Sequence, residues 1–182
     1  HGGLPPHIAL RPEALGAAPS RLTLSVPVLD GVAQEQWASL AKDYAGFASV
    51  GAETHEVPVV TLDSLGLDEV QHLKVDAEGY EEEVLRGGRE TLTRNRPVLS
   101  LEVEERHRPG ATRDVPALLA ALGYAVGFWL DGAMRPVAAF DAATMQRASP
   151  DPAVFAASDP YVFTFYAWPA ERAAEVAAAF GG

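Results

Sequence analysis

Polar and apolar residues alternate along Arg21-Leu22-Thr23-Leu24-Ser25-Val26, and this period of two predicts a strand with one buried face. A short apolar stretch at 7–10, ending before Pro12, predicts an earlier strand, with turn chemistry at 17–20 between the two. Residues 31–56 are mixed and broken by glycine. They read as an excursion over the surface, with a short helix around 35–42. Residues 57–62 predict another strand, and 63–70 a short turn in which Asp63 can cap a helical turn.

The pattern then becomes regular. Residues 70–75 predict a strand that runs into Asp76-Ala77-Glu78-Gly79-Tyr80-Glu81-Glu82-Glu83, the densest acidic stretch of the chain. Beyond Gly79, the residues Tyr80, Val84, Leu85 and Leu92 fall at helical spacing, and Glu81 to Glu83 occupy the first turn, where the helix dipole favours anions. Gly87-Gly88 weakens that helix near its middle. Val98-Leu99-Ser100-Leu101 predicts a buried strand ending at Glu102, and 114–122 an amphipathic helix closed by Gly123. Residues 124–130 and 161–167 predict aromatic strands, and 169–180 an Ala-rich terminal helix. Strands alternating with helices of this length predict one α/β domain over 1–182 with a largely parallel sheet and flanking helices. Ser149-Pro150-Asp151-Pro152 is the most linker-like stretch, but the strand beyond it reads as core.

Composition narrows the function classes. The chain of 182 residues has a net charge of −11 and a pI near 4.8, with no basic cluster, which argues against nucleic acid or an anionic membrane as partner. The longest uncharged run, 115–130, contains Pro116 and Gly123 and is too short to span a membrane. With no cysteine, disulfides, thiolate zinc sites and cysteine nucleophiles are excluded, which fits a cytoplasmic setting. The five histidines show no metal-ligand spacing, and no metal is expected. Ser64 and Ser100 lack the turn of a hydrolase nucleophile, and no phosphate-cradling glycine loop is present.

In an open α/β sheet, ligands sit beyond the carboxyl ends of the strands. Asp76 stands at such an end, with Glu78 in the following loop and Gly79 allowing a sharp turn into the helix. Two carboxylates there can orient a hydroxyl, accept its proton, hold a cation, or simply cap a helix. The stretch Glu102-Val103-Glu104-Glu105-Arg106-His107 reads as a solvated strand end, Glu102 excepted. The aromatic residues Trp37, Trp129, Trp168, Tyr161, Phe163, Phe165 and Tyr166 read as core in preference to the lining of an acceptor pocket, because most sit in strand-like runs.

Several linked motifs carry a family resemblance. Val59-Val60-Thr61-Leu62-Asp63-Ser64-Leu65 is followed by Leu73-Lys74-Val75-Asp76-Ala77-Glu78-Gly79-Tyr80-Glu81, then Val84-Leu85-Arg86-Gly87 and Arg96-Pro97-Val98-Leu99-Ser100-Leu101-Glu102. This series resembles the FkbM methyltransferase signature, best over 57–107 and more loosely to about 130, with 8–26 similar to the preceding strand pair. The resemblance implies a Rossmann-like fold and transfer of a methyl group from S-adenosylmethionine to a hydroxyl of a sugar, lipid or secondary metabolite. It implies catalytic roles for Asp76 and Glu78 at the end of the fourth strand, for Glu102 closing the next strand, and for His107 in its loop. Asp76 is the expected residue to orient or deprotonate the acceptor, assisted by Glu78 or His107. Glu13, Ala14, Leu15 and Lys74 are the expected cofactor-binding residues.

The chain departs from the family pattern at its front. The glycine-rich turn that approaches the cofactor, and the acidic residue that holds its ribose, have no counterpart, and His1 replaces an initiator Met. The expected chain is therefore a partial methyltransferase fold, with its first strands absent and weak cofactor binding of its own. The strand ending at Val75 is then an open sheet edge. That edge supports a second expectation: a non-catalytic module that pairs with a partner, another copy or a preceding segment. A carboxylate-pair hydrolase using Asp76 and Glu102 has only the carboxylates in its favour.

Overall fold

A computed structural model of the protein describes residues 5–42, 51–147 and 160–180. In chain order the strands and helices are β1 (Ala14–Leu15), β2 (Ser20–Leu29), β3 (Val32–Ala33), β4 (Gly51–Val60), β5 (His72–Val75), α1 (Glu81–Arg86), α2 (Arg89–Asn95), β6 (Val98–Glu102), α3 (Ala111–Ala121), β7 (Tyr124–Leu130), β8 (Ala133–Pro136), α4 (Ala142–Met145), β9 (Thr164–Pro169) and α5 (Ala173–Phe180).

The strands form two sheets, ordered β1-β4-β2-β3 and β5-β6-β9-β7-β8. Both are mixed, so the expectation of a mostly parallel sheet is corrected. Parallel pairing is confined to β5 with β6 and β1 with β4. The crossover from β5 through α1 and α2 returns β6 in the same direction, as a parallel pair requires. β9 then inserts between β6 and β7 and runs antiparallel to both, and β8 folds back on β7. Asp30-Gly31 and Asp131-Gly132, all at positive φ, close the β2–β3 and β7–β8 hairpins as two-residue turns.

Three further expectations change. Residues 7–10 form no strand, and Ile8 and Leu10 are exposed; the strand there is β1, paired with Val59 and Val60. The supposed surface excursion contains half of β4, which pairs with β2 from Ser20↔Val59 to Val28↔Gly51. The helix expected over 35–42 is a single 3-10 turn, Glu35–Trp37. The linker-like 149–152 lies outside the described residues, as does 43–50.

One core unites the helices with the five-stranded sheet. Leu85, Leu92, Val115 and Leu119 pack with Leu99, Leu101, Phe128 and Phe165, all essentially inaccessible. Phe140 meets the rings of Phe128 and Phe165 edge-on, at centroid distances of 5.5 and 4.9 Å. The weakened helix is split outright at Gly87-Gly88, because the chain leaving β1 and β4 of the four-stranded sheet passes there. A Cβ on Gly87 would lie 2.0 Å from the Gly16 carbonyl oxygen, and the Gly87 carbonyl accepts from Asp63 N at 2.9 Å. Asp63 caps a helix, but a remote one: its carboxylate accepts from the N–H groups of Glu90 and Thr91 at the start of α2.

Candidate active site

β5 and β6 run parallel with Val75 opposite Leu101, so the next residues, Asp76 and Glu102, emerge side by side at the carboxyl ends of the two strands. Adjacent strands lie about 4.8 Å apart, which places the two carboxylates in each other's field. Asp76 receives Lys74 Nζ at 2.8 Å, and this hydrogen bond raises the Lys74 pKa. The Glu102 carboxyl makes no hydrogen bond or ion pair among the described residues, although its backbone lies in the ladder opposite Thr164. Its carboxyl is raised above the ordinary 4.5, first by burial and then by the charges of Asp76 and Glu104.

The loop after β5 is held from beneath by Glu81. This residue is 1% exposed, and its Oε1 accepts from Ala77 N at 3.0 Å and Gly79 N at 2.9 Å. Burial raises the Glu81 pKa against the opposing pull of these N–H groups. The brace fixes two left-handed residues in succession, Glu78 at φ 51° and Gly79 at φ 103°. A side chain at residue 79 would also press on the His107 carbonyl, 3.0 Å from an added Cβ.

A second group of charges forms behind this loop. Glu78 Oε2 lies 3.2 Å from Lys42 Nζ and 3.2 Å from His107 Nε2, and Ser39 Oγ donates to the Glu78 carbonyl at 2.9 Å. His107 Nε2 is also 3.3 Å from Glu104 Oε1. Both neighbours of Nε2 are acceptors, so this nitrogen carries the proton. Burial, then Lys42, lowers the His107 pKa despite the two carboxylates. Glu104 is 2% exposed and accepts both Arg106 Nε and Nη2 at 2.8 Å, as well as the Tyr161 hydroxyl. Burial pushes its carboxyl up, but Arg106, Tyr161 and His107 outweigh it and hold the net value below 4.5.

The residues expected from sequence thus fall into two groups: Asp76, Glu102 and Lys74 in one, Glu78 and His107 in the other. Of the expected cofactor-binding residues, Ala14, Leu15 and Lys74 line one cavity of about 280 Å³ together with Asp76, Leu73 and Tyr80. Glu13 turns aside to Arg11, 3.0 Å away. On the other side of the carboxylate pair, Glu102, Glu104, Arg106, Tyr161 and Phe163 enclose a cleft of about 230 Å³. The stretch from Glu102 to His107 is not a solvated strand end, since Glu104 is buried beside Tyr161 and the His107 side chain is covered by Glu78 and Glu104. Trp37, Trp129 and Phe163 are each more than a third exposed and do not belong to the core. Sequence reasoning missed Glu81, Glu104, Arg106 and Lys42. For Glu81 a signal existed, because a carboxylate directly after a Gly turn at a helix start is placed to accept the loop's N–H groups.

Adjacent carboxylates at the ends of parallel strands, flanked by an apolar cavity and a mixed cleft, mark the candidate site at the carboxyl edge of an α/β sheet, where such folds bind ligands. The methyltransferase FkbM domain matches residues 16–126, more than half of the chain. The chain belongs to the FkbM methyltransferase domain family. No curated protein and no solved structure matches it. Among the described residues, no helix is long and apolar enough to cross a membrane, and no three His, Asp or Glu side chains gather as a metal site.

Proposed function

We propose that the protein is the acceptor-side part of an S-adenosylmethionine-dependent O-methyltransferase, with Asp76 and Glu102 at the point of transfer. One observation carries this reading: the parallel register sets these two carboxylates side by side, with a cavity on one side and a cleft on the other. The cofactor fits the cavity in part. Leu15, Leu24, Leu40 and Leu73 offer apolar walls for a flat base, Tyr80 offers a ring, and Asp76 supplies a carboxylate. The sheet order β5-β6-β9-β7, with one antiparallel strand between parallel ones, supports a partial Rossmann-like arrangement.

When bound, the cofactor supplies an electrophilic methyl on sulfur. Its transfer would form a C–O bond as the C–S bond breaks with that electron pair left on sulfur, so the residues here would have to take up the hydroxyl proton. Asp76, held by Lys74, orients the hydroxyl, and Glu102 accepts the proton. Burial and the neighbouring carboxylates raise its pKa, and its oxygens have no side-chain partner among the described residues to give up, which suits it to take a proton. Glu78 and His107 act behind the loop: Glu78 Oε2 and His107 Nε2 face each other, Lys42 and Glu104, and they hold Asp76's loop in register.

Titration with S-adenosylhomocysteine followed by amide NMR tests this. Weak, saturable shifts confined to Ala14, Leu15, Leu73 to Ala77 and Tyr80 are expected. Shifts elsewhere, or none into the millimolar range, would oppose it.

A second reading is favoured by one feature. β5 pairs only with β6, so its outer edge is open among the described residues, and such an edge can accept a strand from a partner or a second copy. In that reading the protein is a non-catalytic, methyltransferase-like module. A monodisperse monomer by light scattering, with a cooperative melt, counts against it.

A further inference from the structure

Among the described residues, the five-stranded sheet builds its core on one face only. Successive strand residues alternate between faces, and directly opposed residues share one. Leu99, Leu101, Val126, Phe128, Phe165 and Ala167 point to the side where the helices pack, and all belong to the core. The other face carries Ser100, Tyr166, Ala125, Trp168, Trp129 and Met134, joined by the pairs Ser100↔Tyr166, Ala125↔Trp168 and Trp129↔Met134. None of these six belongs to that core, and Trp129 is 42% exposed. The solvent face of an antiparallel sheet is ordinarily polar. Here its middle is apolar and aromatic. A Cβ on Gly127 would lie 3.0 Å from Trp168 Cη2 and 3.1 Å from Met134 Sδ, so indole and thioether close over this glycine as one continuous surface.

Charge and area choose the occupant. The charged residues of this face, Lys74 and Glu102, lie on β5 and β6, and β9, β7 and β8 bring none to it. A chain of −11 repels its own copies wherever acids meet, and this uncharged patch is where two copies approach with least repulsion. Strands spaced about 4.8 Å apart, with about 3.3 Å per residue, give the sheet a plane of roughly 19 by 23 Å. The terminal helix α5 extends it. Arg172, just before that helix, lines one cavity with His72 and Val98 of this face, and Ala173, Ala174, Ala177 and Ala178 beyond it are exposed. Two such surfaces bury on the order of 1,200 Å², the lower end for a specific interface. A two-fold axis parallel to the strands lays the charged β5–β6 edge of one copy over the uncharged β7–β8 edge of the other.

We infer that the protein forms a two-fold homodimer through this sheet face, with Trp129, Trp168 and Tyr166 at its centre. Aromatic side chains in a patch depleted of charge are the anchors of protein interfaces. The contact does not depend on the methyl-transfer reading. It also differs from strand addition at β5, because Trp129 lies on β7, three strands away in the order β5-β6-β9-β7.

Sedimentation velocity over roughly 1 to 300 μM tests this, with a reversible monomer–dimer equilibrium and a Kd on the order of 10 μM expected. Trp129→Lys should weaken the dimer at least about thirtyfold. Its melting temperature should hold, since Trp129 is exposed. Lysine lowers the net negative charge, so a lost dimer would not reflect added repulsion between copies. Met134→Lys, at the residue opposite Trp129, should act in the same direction. Trp37→Lys, at an exposed tryptophan outside this sheet, should leave the dimer intact. A monomer throughout the range, or equal loss with Trp37→Lys, would overturn the inference. So would a dimer that survives both Trp129→Lys and Met134→Lys, which would point to the β5 edge instead.

Discussion

The buried carboxylates Glu81 and Glu104 and the half-exposed carboxylates Asp76 and Glu102 share one small region and differ in almost everything else. Glu81 and Glu104 are 1% and 2% exposed, and each is engaged: Glu81 through one oxygen by two backbone N–H groups, Glu104 by Arg106, Tyr161 and His107. They behave as parts of the frame. Asp76 has one partner, on a lysine largely in solvent, and Glu102 has none among the described residues. The difference teaches that acidity at a strand end is no guide to role. What separates a brace from a working group is whether its oxygens are already spoken for.

Substitutions should split along the same line. The largest effect is expected at Glu102→Gln, which removes the base without disturbing any partner. Methyl transfer should fall about 10³-fold, measured with labelled cofactor, while the melt stays within about 0.5 kcal/mol of the parent at low pH. Next is Glu81→Ala, which orphans two buried N–H groups. A loss of about 3 kcal/mol is expected, or roughly 6–12 °C in melting temperature, with Glu81→Gln retaining most of it.

The pH dependence of stability should carry opposite signs for Glu104 and Glu102. Glu104 titrates lower folded than unfolded, so its contribution is present above 4.5 and is lost as pH falls through the folded value. Glu102 titrates higher folded than unfolded, so its ionisation opposes folding as pH rises from 4.5 through the folded value. In melts across pH 3 to 7 (about the range where carboxyls titrate), Glu104→Gln should lose ground to the parent as pH rises, and Glu102→Gln should gain it. The smallest effect is expected for Lys74→Ala. An exposed pair contributes about 0.5 kcal/mol or less. Removing this lysine also removes a charge that lowers the Glu102 pKa, so the acid limb of the rate profile should move upward.

Much of the second half of the chain was legible in the sequence. The strands ending at Val75 and Glu102, the helix closed by Gly123 and the strand at Tyr124 follow from periodicity and capping, because local pattern and burial agree there. The first half was harder. The pairing of β2 with β4 links residues about thirty apart, and nothing local in Gly51 to Glu56 announces it. Pro58 and the run of polar residues there mask the period of two. Asp131-Gly132 carried a hairpin signal for β8 that strand periodicity does not use. The mixed sheet was also out of reach, since the direction of β9 depends on the path that leads to it.

At the site, the motif placed Asp76 and Glu102 at strand ends, but their adjacency needed the register of two strands about 26 positions apart. The grouping of Glu78 with His107, Lys42 and Glu104 depends on a left-handed turn at Glu78 and on Glu81 beneath it. Composition shows only a run of acids.

The separation of frame from working group can be read most directly by following the side-chain carboxyl carbons of Glu102 and Glu104 by NMR as pH is varied. Glu102 should titrate above 4.5 and Glu104 below it in the folded protein. The reverse order, or two ordinary titrations near 4.5, would contradict the assignment of Glu102 as the free base at the point of transfer.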